Sequence, residues 1–137
     1  MSSFVARPPA ADSDTALHHF QSLLEFETDC WDVQHAIRNN RQDFVLLDVR
    51  GEAAYQKGHI EGSISLPYSR INETTLEPYP QQTLFVVYCA GPHCNATEKA
   101  AIKLAKLHRP VKKMIGGVTG WLDEGFALEA GAAASES

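Results

Sequence analysis

Cysteine is scarce: Cys30, Cys89 and Cys94 are the three in 137 residues. An odd number that small does not read as a disulfide scaffold, so the fold has to stand on an apolar core. In a reducing compartment all three are expected as thiols, with chemistry open to some. No run of lysine or arginine occurs, and the net charge is −5. That argues against nucleic acid or an anionic membrane surface as the main partner. No apolar stretch reaches the roughly 20 residues that span a bilayer, so no membrane partner is expected. The N-terminal MSSFVARPPAADSD lacks the basic start and apolar centre of a secretory signal. The expected location is therefore the cytoplasm. No internal repeat and no second domain can be found. What remains is ordinary for one globular domain: 44% hydrophobic and 21% charged residues, at a length sufficient for a core.

The strongest pattern runs from Leu84 to Thr97. It begins as a continuous apolar run, Leu84-Phe85-Val86-Val87-Tyr88, which is how a strand buried on both faces reads. The run stops at Cys89. A loop with Gly91 and Pro92 follows, and Asn95 opens a helical pattern that extends to His108. A cysteine thus stands where a buried strand ends, under the start of a helix. Ligands bind at that edge in open α/β sheets. Free backbone N–H groups at a helix start favour an anion, and the nearest candidate is the Cys89 thiolate. A thiol so placed has a lowered pKa and is a nucleophile at neutral pH; the alternative is a structural cysteine that ends a core strand.

The rest of the chain alternates strands with helices. Residues 1–13, with Pro8-Pro9, read as disordered. Leu17, Phe20, Leu23 and Leu24 recur at helical spacing, so Thr15 to Leu24 reads as an amphipathic helix capped by Ser13 or Asp14. His18 and His19 in it read as surface residues. Residues 14–28 form this helix and a link or short strand. Asp29 caps a second helix, Trp31 to Asn39, with Trp31, Ala36 and Ile37 as its buried side, and Cys30 at its start reads as a packing residue, with a low-pKa thiol as the alternative. Asp43 to Val49 is the second strong strand. It ends in Asp48-Val49-Arg50; the two charges read as groups that hydrogen-bond or ion-pair to hold neighbouring loops, with a catalytic role as the alternative. Glu52 to Lys57 is a helical turn. His59 in the following glycine-rich turn reads as a structural hydrogen-bonding residue, with a general base as the alternative. Ser63 to Leu66 is a short strand, and Ser69 to Thr75 is weakly helical. After the cysteine loop, Thr97, Ala101, Leu104, Ala105 and His108 are expected on one helix face. Val111 to Ile115 is the last strand, and Val118 to Glu124 a short helix with Trp121 as a core anchor. Residues 131–137 read as a disordered tail. The alternation predicts an α/β domain with a largely parallel sheet and helices on both faces.

Four motifs in order, Asp48-Val49-Arg50, Gly58-His59-Ile60 to Leu66-Pro67, Tyr88-Cys89, and Ile115-Gly116-Gly117 to Gly125, resemble the single-domain rhodanese family across about Asp29 to Leu128. A domain over 29–130 is expected on that basis. The resemblance implies a small sheet sandwiched by helices and a cysteine, Cys89 by position, that carries sulfane sulfur as a persulfide. It also implies a small sulfur donor such as thiosulfate and a thiol or cyanide acceptor, with a protein acceptor as a further option. No cofactor and no metal are expected.

The loop Ala90, Gly91, Pro92, His93, Cys94, Asn95 would hold the anionic sulfur on backbone N–H groups, with Gly91, His93, Cys94 and Asn95 as donors, since Pro92 has none. Many relatives carry an Arg or Lys in this loop, and this chain has none. That puts efficient binding of the thiosulfate dianion in doubt. Cys94 is a candidate resolving thiol: it could attack a Cys89 persulfide, release sulfide and leave a disulfide. The other reading of Cys94 is a small loop residue packed inward. Sulfur transfer has four rivals. A non-catalytic binding or regulatory module would not need Cys89. A phosphatase or arsenate reductase would need a longer loop closed by Arg. A dithiol redox or sulfur-relay protein using Cys89 and Cys94 remains open. A zinc site of Cys89, His93 and Cys94 lacks a fourth ligand nearby.

Overall fold

The computed structural model describes residues 2–131. The expected tail therefore lies outside the described residues from position 132 onward, as does position 1. The elements run in order α1 (Ser13–Phe26), β1 (Glu27–Asp29), α2 (Cys30–Arg38), β2 (Val45–Asp48), α3 (Glu52–Lys57) and β3 (Ser63–Ser65). A 3-10 turn at Tyr68–Arg70 and α4 (Glu73–Leu76) lead to β4 (Phe85–Tyr88), α5 (Ala96–Lys106), β5 (Val111–Ile115) and α6 (Gly117–Asp123). The five strands form one sheet in the order β1-β5-β4-β2-β3, and every pairing is parallel. The expected α/β fold with a parallel sheet between helices is what the chain adopts.

β4 lies at the centre, and the side-chain alternation of a strand divides its residues between two cores. Phe85 and Val87 face α4 and α5, packing with Leu47, Leu76, Ala100 and Leu104. Val86 and Tyr88 face the opposite side, with Cys30, Val33, Met114 and Trp121 from α2, β5 and α6. All four β4 residues are buried, which is why the segment reads as an unbroken apolar run. Cys89 keeps the parity of Phe85 and Val87 and belongs to the α5 side. β2 and β4 are neighbours whose connections leave in opposite directions, the arrangement that opens a crevice at the carboxyl ends of parallel strands.

Several local expectations need correction. Asp12, not Ser13 or Asp14, caps α1: its carboxylate accepts from the Thr15 N–H. Of the two readings of the stretch after α1, the short strand is the one found: β1 is an edge strand paired with β5 from Glu27 to Asp29. The sheet therefore begins before position 29. Asp29 caps α2 as expected, yet Trp31 points outward, 53% exposed, and stacks on His35. Cys30 and Val33 are the residues α2 buries. In α5 the buried stripe is Ala96, Thr97, Ala100 and Leu104, while Ala105 and His108 are exposed. With alanine on several sides of the helix, composition does not set its rotation; contact with the sheet does.

Candidate functional site

The strand–loop–helix unit around Cys89 is tied down from two sides. The N–H of Val118 donates to the Cys89 carbonyl at 3.0 Å, and the N–H of Thr119 to the Ala90 carbonyl at 2.9 Å. The Thr119 hydroxyl donates to the same Ala90 carbonyl at 3.1 Å. The start of α6 thus takes up the carbonyls of the cysteine loop. Two glycines permit this approach. A Cβ on Gly117, which sits at φ +59°, would lie 2.5 Å from the Cys89 carbonyl oxygen, and one on Gly91 would lie 2.7 Å from the Thr119 hydroxyl. Only glycine tolerates both the positive φ and the contact at 117.

Cys89 and Cys94 are joined by a disulfide, with their Cα atoms 6.4 Å apart. Cys89 is 3% exposed and Cys94 is half-buried. Both line a pocket of about 190 Å³ between the cysteine loop, the first turn of α5 and the β5–α6 turn. Its other walls are Gly91, Pro92, Thr97, Glu98, Lys113 and the turn from Met114 to Gly117. Ala90, Pro92, His93 and Asn95 are exposed. The ring of four amide donors needs revision. The Cys94 N–H points back to the Gly91 carbonyl at 3.1 Å, closing a turn rather than facing the sulfur. Asn95 occupies the cap position of α5 without a side-chain capping bond.

Asp48 and Arg50 are held together, away from the pocket. Arg50 makes a bidentate pair with Asp48, Nε to Oδ1 at 3.0 Å and Nη2 to Oδ2 at 2.7 Å, and also donates to the Gly58 carbonyl at 2.7 Å. Asp48 accepts from the Tyr88 hydroxyl at 2.9 Å, and that oxygen accepts from the Ile60 N–H at 3.1 Å. Burial, together with the adjacent Asp48 charge, pushes the Tyr88 phenol well above its ordinary range, so it stays a neutral donor. This network staples β2, β4 and the Gly58–Ile60 turn. His59 is buried in that turn; its Nδ1 donates to the Tyr55 carbonyl at 2.9 Å, and its ring stacks on Tyr55 at 3.7 Å. None of Asp48, Arg50 and His59 lines the pocket beside Cys89.

Cys30 packs against the β5–α6 turn from the other side of the sheet. Its thiol lies 3.5 Å from the Ile115 carbonyl and 3.6 Å from that of Gly117. Burial first, and then the charges of Asp29 and Glu124, push it up to about 11. It is an inert thiol at neutral pH. His18 and His19 are both exposed on α1.

Sequence reasoning missed the pocket's charged wall. Lys113 lies on β5, an interior strand, and its ammonium is 2.7 Å from Glu98 and 3.5 Å from Glu27. Glu98 also accepts from the Thr97 hydroxyl at 2.6 Å. The available signal was the pair Lys112-Lys113 inside a strand with neighbours on both sides, where apolar residues are the norm.

Comparison with known proteins agrees with this geometry. The rhodanese-like domain family matches residues 32–124. The structure of BH2092 from Bacillus halodurans superposes with a TM-score of 0.84 at 35% identity, covering 87% of each chain. A thiosulfate sulfurtransferase from Pseudomonas aeruginosa superposes with a TM-score of 0.67 at 26% identity, over 82% of this chain and 22% of that one. The HTH-type transcriptional regulator Rv0324 of Mycobacterium tuberculosis is 30% identical over 95 residues, 69% of this chain and 42% of that protein. The chain spans 42 to 65% of the length of the curated relatives it matches.

Proposed function

Since the chain belongs to the rhodanese-like domain family, we propose that it is a sulfurtransferase that carries sulfane sulfur on Cys89. The observation that supports this is the position of Cys89, at the carboxyl end of the central strand and on the wall of a small pocket. In the disulfide form Cys89 has no free sulfur, so an external thiol must first reduce the Cys89–Cys94 bond, forming two thiols as the reductant is oxidised. The Cys89 thiolate then attacks the outer sulfur of a donor such as thiosulfate or a persulfide. The donor's S–S bond breaks, and its electron pair leaves on the departing sulfite or thiolate. A thiol or cyanide finally removes the outer sulfur and regenerates the thiolate. No cofactor takes part. A reducing compartment such as the cytoplasm suits the thiol form.

A second reading is favoured by one observation, the proximity of the two sulfurs. Cys94 can resolve a Cys89 persulfide, releasing sulfide and restoring the disulfide, which makes the domain a dithiol relay. Intact mass after reduction and exposure to a donor separates the two. A gain on the order of 32 Da signals a stable persulfide, and a return to the oxidised mass with sulfide released signals the relay. The expected result is a persulfide in the wild type and no sulfur uptake in Cys89→Ser. Thiocyanate formation from thiosulfate and cyanide that survives in Cys89→Ser would refute the assignment.

A further inference from the structure

The charged wall of the pocket is the part of the site that sulfur transfer alone does not explain. Its one cation among the lining residues is Lys113, and that cation is paired with Glu98 at 2.7 Å and with Glu27 at 3.5 Å. Glu98 in turn is fixed by two donors, Lys113 Nζ and the Thr97 hydroxyl. The hydrogen bond from Lys113 holds the Glu98 carboxyl below the usual carboxylate range, and the one to Glu98 holds the Lys113 ammonium above its own. Both groups are therefore ionised together. The cysteine loop contributes no Lys or Arg, and His93 is exposed. A dianion entering here adds two negative charges to a wall of one ammonium and two carboxylates, whereas a zwitterion adds no net charge. The pocket, about 190 Å³, is also smaller than the roughly 300 Å³ at which sites for drug-sized molecules begin. A fixed anion and a fixed cation beside a reactive sulfur, in a space that small, complement a small zwitterion.

We propose that the Glu98–Lys113 pair sorts sulfur donors by charge: the pocket takes the persulfide of a small amino-acid thiol, ammonium toward Glu98 and carboxylate toward Lys113, in preference to the thiosulfate dianion. This rests on the sulfur-transfer reading of Cys89. The step is balanced without an added redox partner. The Cys89 thiolate bonds to the terminal sulfur of R–S–SH, the donor S–S bond breaks, and R–S⁻ leaves with the electron pair, giving Cys89–S–SH.

The test uses the full chain, reduced and freed of reductant, with loading of Cys89 followed by intact mass. The probes are thiosulfate and the persulfides of L-cysteine, N-acetylcysteine and cysteine methyl ester. The wild type is expected to load from cysteine persulfide at least on the order of tenfold faster than from thiosulfate. It should lose a similar factor when either the ammonium or the carboxylate of the donor is masked. Glu98→Gln should erase the penalty for N-acetylation and raise loading by thiosulfate, and Lys113→Gln should erase the penalty for esterification. The comparison of donors on the wild type stands without the variants. Equal rates for masked and unmasked donors, or faster loading from thiosulfate, would overturn the sorting role while leaving sulfur transfer intact. Loading by none of the four donors would overturn both.

Discussion

At the scale of single residues, the three cysteines have two environments, and the surroundings rather than the side chain set their chemistry. Cys89 and Cys94 share a bond at the pocket. Cys30, on the far side of the sheet, is enclosed by the β5–α6 turn and pushed up to about 11. Because its neutral form is favoured only in the folded state, Cys30 contributes stability that is complete below the ordinary thiol range of about 8.5. That contribution is lost as pH rises toward 11, since the unfolded chain releases the proton first. Urea midpoints of the reduced protein between pH 8 and pH 11 should therefore fall more steeply for the wild type than for Cys30→Ala. Equal slopes would place the thiol in contact with water. The same enclosure and raised pKa predict that alkylation of the reduced protein at pH 8 labels the half-buried Cys94 and spares Cys30.

At the scale of elements, the site depends on how closely the start of α6 approaches the cysteine loop. The N–H groups of Val118 and Thr119 reach carbonyls 89 and 90 because Gly117 has no Cβ. Gly117→Ala places a methyl group 2.5 Å from the Cys89 carbonyl oxygen at φ +59°. It should cost about 1–3 kcal/mol in backbone strain, with a further loss from displaced loop contacts, and it should slow sulfur loading. Gly125→Ala is the control. It also has a positive φ, but nothing lies within 4 Å of its added Cβ. It should show the strain in a urea titration and leave loading unchanged. If both variants load sulfur at the wild-type rate, the α6 contact does not shape the site.

At the scale of the whole molecule, the disulfide links stability to the proposed sulfur transfer. Closing a loop with a sequence separation of 5 is worth roughly 2 kcal/mol on chain-entropy grounds. Reduction should lower the unfolding free energy by about that amount and at the same time make the protein able to accept sulfur. A denaturant titration and a mass measurement on the same oxidised and reduced samples check both halves. Sulfur uptake by the oxidised sample would contradict the requirement for reduction. None of the described helices is long and apolar enough to cross a membrane. Helix α1 buries no residue, and its Leu17, Phe20 and Leu24 are exposed.

The amino-acid order alone determined the alternation of elements, the burial of β4 on both faces and the place of Cys89 at its end. Strand parity and an unbroken apolar run are local properties that survive without coordinates. That Asp48 and Arg50 would be partnered was legible for a similar reason: two charges at the end of a buried strand need partners. The facing of α2 and α5 was not legible, because Trp31 looks like core by composition and alanine gives a helix no clear inner side. Only the tertiary structure brought Lys113 of β5 to Glu98 of α5, 15 residues away along the chain. It also turned the Cys94 amide back onto Gly91. Such pairings follow from which strands lie side by side and how a loop closes, and those depend on the packing of the whole sheet rather than on any one stretch of the chain.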